Sequence, residues 1–140
     1  MGRPRFIADK SAFGRQHHAA VGAVLAPLIR AGEVARCGIF ELEILFSARD
    51  AEDMELTRCD LEQALPLADT NQVDFDRASS VMELLSRNGL HRGVPLPDLI
   101  LAAVAERHGL TVLHYDADFD RVAAVTGQST RWVVPMGSVP

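Results

Sequence analysis

The sequence predicts an α/β fold with a mainly parallel sheet, and three observations lead there. Short apolar runs with β-branched or aromatic residues alternate with longer segments of helical periodicity. The first of these runs, Phe6-Ile7-Ala8, is apolar throughout, as expected of a strand covered on both faces. Two runs end at an acid, Asp9 and Asp116, and sites in such folds lie at the carboxyl ends of strands.

Taken in order, Arg5 to Ala8 is the first strand and delivers Asp9 at its end; a helical turn starts at Ser11, which suits a helix cap. Ala19 to Ala31 is a helix on the spacing of Ala20, Val24, Leu25, Leu28 and Ile29, with Pro27 inside it as a candidate kink and Gly32 as its stop. Val34 to Cys37 reads as a short strand and Ile39 to Arg49 as a helix. Asp50 to Ala64 is an acid-rich, solvated helix with Met54, Cys59 and Leu61 turned inward. Leu65 to Leu67 reads as the start of a strand, and Asp74 to Arg87 as a helix ended by Asn88-Gly89. Pro97 to His108 is the clearest helix, with Pro97 and Asp98 in its first turn and Gly109 as its stop. Thr111 to Tyr115 has strand composition, Ala117 to Thr126 is a short helix, and Trp132-Val133-Val134 a last strand with Trp132 packed on the sheet.

With 140 residues, 48% hydrophobic and 24% charged, and no linker-like stretch or repeat, a single domain is expected over 1–140. The net charge of −5 argues against a broad cationic surface for gripping duplex DNA and leaves room for a local basic rim. No apolar run approaches a membrane span, and the start, MGRPRFIADK, lacks the features of a signal peptide, so a cytoplasmic protein with no membrane contact is expected. Cys37 and Cys59 form no metal or disulfide pattern and read as reduced core residues.

Glu43 joins the acids at the strand ends. Glu41 and Glu43 lie two apart, about 200° around a helix, so only one of them faces solvent fully; Glu43 keeps company with Ile39 and Phe46 and is expected to turn toward the sheet edge. Clustered carboxylates repel one another in a low dielectric, and a divalent cation removes that cost. Oxygen ligands without His/Cys spacing favour Mg²⁺ or Mn²⁺, and such ions activate water against phosphodiesters. Asp9, Glu43, Asp98 and Asp116 therefore point to metal-dependent phosphodiester hydrolysis.

Asp9-Lys10-Ser11-Ala12, Glu43 within FELEILFSAR, Pro97-Asp98-Leu99-Ile100-Leu101-Ala102-Ala103 and Asp116-Ala117-Asp118-Phe119 follow one another at spacings of 34, 55 and 18 residues between the acids. In that order they resemble the PIN-domain ribonucleases, specifically the VapC-type toxins of type II toxin–antitoxin pairs, over nearly the whole chain. The resemblance implies a three-layer α/β/α domain and a Mg²⁺- or Mn²⁺-dependent endoribonuclease. Its metal ligands would be Asp9, Glu43, Asp98 and Asp116 with Asp118 as auxiliary, and Glu43 would serve as ligand or general base. It also implies a homodimer held inhibited by a small VapB-type antitoxin. Two positions depart from the pattern: Lys10 replaces a small residue, and His114 stands where a hydroxyl is usual, two places before Asp116.

Ser11, Arg15 and Arg92 are the candidate substrate contacts. Ser11 follows the first acid within hydrogen-bonding reach, and His91-Arg92 lead into the Asp98 motif. His17-His18 read as a solvated loop pair. Two other functions fit the same residues less well: a non-catalytic interaction module, which has no use for clustered carboxylates, and a DNA-directed metal nuclease, which normally carries more chain.

Overall fold

The computed structural model describes residues 2–140. Its elements, in chain order, are β1 (Phe6–Ala8), α1 (Lys10–Phe13), α2 (Ala19–Arg30), β2 (Val34–Ala35), α3 (Gly38–Leu45), α4 (Ala51–Ala64), α5 (Gln72–Ser86), α6 (Leu96–His108), β3 (Thr111–His114), α7 (Asp118–Thr126) and β4 (Thr130–Trp132). The four strands form one all-parallel sheet in the order β2-β1-β3-β4. Phe6, Ile7 and Ala8 are all buried, as are Val112, Leu113 and His114 of β3, which is why these strands read as continuous apolar runs.

That strand order places the site. The chain leaves β1 for β2 on one side, then crosses back over to β3 on the other, so the connections diverge between the carboxyl ends of β1 and β3. With right-handed crossovers the helices of the first connection cover one face and those of the later connections the other, giving three layers. The N–H of Asp9 donates to Leu113 O at 2.9 Å, extending the β1–β3 ladder up to the first acid.

Helix α6 anchors the core. Leu99, Leu101, Ala102, Ala103, Val104 and Ala105 are all buried on it, together with Asp98 in its first turn. Gly109 ends it at φ 69°, a left-handed conformation that costs glycine little. Helix α5 opens on a reciprocal cap in which Asn71 accepts from Val73 N and Asp74 accepts from Asn71 N.

Several expectations need correction. Helix α3 stops at Leu45 rather than Arg49. The last strand is β4 at Thr130–Trp132, two residues earlier than the composition suggested, because its register is set by pairing Val112 with Thr130 and His114 with Trp132. Leu65 to Leu67 forms no strand beyond a bridge between Arg36 and Leu67. Cys37 is buried, but Cys59 is exposed on α4 against Glu55, and Met54 is also exposed; only Leu61 of that inward trio is buried. The Asp50 to Ala64 helix is otherwise as expected, and Pro27 lies within an unbroken α2. Among the described residues, no helix is long and apolar enough to cross a membrane.

Candidate functional site

Three elements bring three carboxylates to one point. Asp9 caps α1, with Oδ2 accepting from Ser11 N at 3.0 Å. Glu43 comes from α3, while Glu41 turns the other way to Arg36 at 3.5 Å, as the helical spacing of the two acids requires. Asp98 comes from the first turn of α6, where the helix dipole favours a carboxylate. Asp9, Glu43 and Asp98 each offer a carboxylate oxygen within 4.8 Å of the others, and Asp98, Asp116 and Asp118 form a second such group. Asp98 is common to both and joins the two halves.

At such separations two full charges repel by about 3.5 kcal/mol for an effective dielectric near 20. The protonation behaviour reflects this. Asp98 is pushed up to about 8, first by burial and then by Asp9, Asp116, Glu43 and Asp118. Burial and then Asp9 raise Glu43, opposed by Lys10, whose Nζ lies 3.9 Å away. Burial and then Asp116 raise Asp118, opposed by Arg121 at 2.6 Å. The sequence reading missed Arg121, although its i,i+3 spacing from Asp118 is a legible pairing signal.

The oxygen atoms left over fit a cation. Asp9 Oδ1, Glu43 Oε1 and Asp98 Oδ2 are buried without a hydrogen-bond partner, and buried carboxylate oxygens without a partner are costly. The donors are all oxygen, the set preferred by hard divalent ions. Asp116 is less buried and accepts from Asp118 N at 2.9 Å.

The Ser11 hydroxyl does not bond Asp9; it accepts from Tyr115 N at 2.8 Å, and Asp9 rather than Ser11 caps α1. Arg15 donates from Nη1 to Ser11 O at 2.7 Å and lies over the Tyr115 ring. Arg92 is exposed between α5 and α6, and no hydrogen bond or ion pair joins it to the acids among the described residues. Trp132 packs against His114 and Tyr115 and donates to Asp120, so its indole is engaged within the protein.

The PIN domain family profile matches residues 6–125. The chain belongs to the PIN-domain family. Its PIN-domain relatives include Ribonuclease VapC21 of Mycobacterium tuberculosis, 46% identical over 96% of this chain and 97% of the relative. Ribonuclease VapC51 of the same species is 41% identical, again over 96% of this chain and 97% of the relative. The PIN fold is shared with VapBC2 of Rickettsia felis bound to a promoter DNA fragment, at TM-score 0.73 and 15% identity over 91% of this chain and 98% of that one. It is likewise shared with the DNA-bound VapBC of Salmonella typhimurium, at TM-score 0.72 and 16% identity over 94% and 99% of the two chains.

Proposed function

We propose that this chain is a Mg²⁺- or Mn²⁺-dependent endoribonuclease, the toxin of a toxin–antitoxin pair, organised as a single PIN domain over residues 1–140. The observation that carries the reading is the convergence of Asp9 Oδ1, Glu43 Oε1 and Asp98 Oδ2, all buried and without hydrogen-bond partners. Relatives named ribonucleases at 46% and 41% identity support the choice of RNA as substrate. Solved neighbours that are toxin–antitoxin complexes support a VapB-type antitoxin as partner. A homodimer and a cytoplasmic location complete the proposal.

In this reading Asp9, Asp98, Asp116 and Asp118 would hold the cation, with Glu43 as a further ligand or as general base. A divalent ion bound there supplies charge neutralisation for the phosphodiester and a more acidic water. The chain does the rest. Ser11 N fixes one oxygen of Asp9 and leaves the other free. Asp118 N does the same for Asp116 Oδ1. As general base, Glu43 would take a proton from the attacking water at a carboxylate oxygen.

The test is cleavage of total RNA by the purified chain with Mg²⁺, Mn²⁺ or EDTA, beside Asp9→Asn and Asp116→Asn. Discrete fragments that vanish on chelation and in both folded variants are the expected result. Absence of cleavage by folded, antitoxin-free protein under every metal defeats the reading in favour of an interaction module.

A further inference from the structure

A cleft of about 800 Å³ opens beside Asp116, within the size range of ligand sites, and one side of it is cationic. Arg15 is its best-defined group. Nη1 donates to Ser11 O at 2.7 Å, Nε to the main-chain oxygen of Pro140 at 3.0 Å, and Cζ lies 4.8 Å from the centroid of Tyr115. A side chain that is normally floppy is thereby held in one orientation. Its Nη2 makes no hydrogen bond, and no acidic side chain pairs with Arg15, among the described residues. Lys10 lines the same cleft but is already paired with Glu43 at 3.9 Å.

The frame that holds Arg15 is tied to the acids on both strands. Ser11 N–H donates to Asp9, its hydroxyl oxygen accepts from Tyr115 N and its carbonyl accepts from Arg15. Tyr115 directly precedes Asp116, and its hydroxyl donates to Val139 O at 2.7 Å and accepts from Val139 N at 3.1 Å. Pro140 lines the cleft, and residues 139–140 hold both members of the Arg15–Tyr115 stack. A cluster of acids in a chain of net charge −5 repels a polyanion; a preorganised guanidinium beside it supplies the counter-charge that a strand needs in order to enter.

We propose that this cleft is a subsite for the sugar–phosphate backbone of an RNA strand next to the bond that is cut, with the free edge of Arg15 on a flanking phosphate and Tyr115 with residues 139–140 holding it in place. The inference rests on the ribonuclease reading and names where its substrate lies. Arg15 contacts the strand directly; Tyr115 is a positioning residue. Planar guanidinium groups suit phosphate geometry, and one phosphate contact to a single strand contributes about 0.7 to the slope of log affinity against log salt.

The experiment follows binding of a fluorescein-labelled, random-sequence 12-mer RNA by anisotropy in EDTA, across a salt series, for the wild-type chain, Arg15→Ala and Arg15→Lys. The expected result is a loss of about tenfold in affinity at low salt for Arg15→Ala, with a salt slope lower by about 0.7. Arg15→Lys keeps the slope and recovers part of the affinity. The Arg15 Nε–H resonance of the wild-type chain moves on addition of the same RNA, a readout that stands even if Arg15→Ala does not fold. An unmoved resonance, or an unchanged slope in folded Arg15→Ala, overturns the subsite. In that event metal-dependent cleavage that disappears in Asp9→Asn leaves the ribonuclease reading standing, whereas a wild-type chain that neither binds nor cuts RNA removes both.

Discussion

The main-chain N–H of Asp116 donates to Nδ1 of His114 at 3.2 Å, so the acid after β3 hangs on a ring with no solvent exposure. An accepting Nδ1 requires the neutral ring with its proton on Nε2, and burial accordingly lowers the proton affinity of His114. The ring lies 5.1 Å from Phe119 and 5.0 Å from Trp132, centroid to centroid. His114→Ala removes a packed ring and the acceptor for Asp116 N, and should cost about 2–4 kcal/mol in urea unfolding. His114→Asn restores an acceptor at the same place and should cost less. Equal losses for the two would show that packing alone matters and that the hydrogen bond to Asp116 does not.

The departure at His114 was visible in the sequence, but its consequence was not. A histidine on an apolar strand leaves open what its ring packs against, and that depends on the register that brings Trp132 opposite it. The sheet and its site were legible for a different reason: Phe6-Ile7-Ala8 followed by Asp9, and Pro97-Asp98 opening a helix, are local signals that tertiary packing has no cause to overrule. Cys59 and β4 were misread because exposure on one helix face and pairing at a sheet edge depend on neighbours distant in sequence.

Asp98 makes stability depend on pH in an unusual direction. Its folded value of about 8 lies above the ordinary 3.8, so between these values the folded chain binds more protons than the unfolded one. Stability of the metal-free chain contributed by Asp98 is full below about 4 and is lost as pH rises toward about 8. Glu43 acts in the same sense. His114, lowered by burial, works mainly below its ordinary 6.5, and Cys37, raised from 9.0, adds to the fall only at the alkaline limit, so urea midpoints between about pH 6.5 and 8.5 report chiefly the acids. In EDTA the wild-type midpoint should fall over that range, and Asp98→Asn should flatten the fall. A fixed concentration of Mg²⁺ or Mn²⁺, set at about a hundred times the Kd measured at the alkaline end, should stabilise the chain there by about 2.7 kcal/mol and by less toward about pH 6.5, and should not do so in Asp98→Asn. Parallel curves for the two chains in EDTA would remove the carboxylate cluster as their cause.

The two thiols should separate cleanly. Cys37 is buried and burial pushes it up to about 11, so it holds almost no thiolate at neutral pH. Cys59 is exposed on α4, where local desolvation and then the Glu55 carboxylate raise it. Ellman titration at pH 8 should find one slowly reacting thiol in the native chain and two after unfolding in guanidinium. Cys59→Ser should abolish the native reaction without lowering the unfolding midpoint appreciably. Two native thiols would place Cys37 nearer the surface than the core packing of β2 and α3 permits.

At the other end of α6, Arg107 clamps α5. Its Nε and Nη2 donate to Asp74 Oδ1 and Oδ2 at 2.8 and 2.9 Å, and Asp74 is 1% exposed. The hydrogen bonds from Arg107 hold Asp74 below the usual carboxylate range, so this contribution is present above about pH 4 and is lost as pH falls further. Arg107→Ala removes the charged partner of Asp74, which keeps only its bond from Asn71 N, and should lower the urea midpoint near neutral pH. Arg107→Lys keeps the charge, loses the two-pronged contact and should fall between. Asp98 and Arg107 lie nine positions apart on the helix, about 13.5 Å along the axis, beyond the roughly 7–10 Å within which substitutions usually couple. The two ends of α6 should therefore act independently. Arg107→Ala should lower the midpoint at every pH from 6.5 to 8.5 by the same amount in the wild-type and Asp98→Asn backgrounds, and a coupling well above about 0.5 kcal/mol would mean that α6 transmits strain from its clamp to the acid cluster.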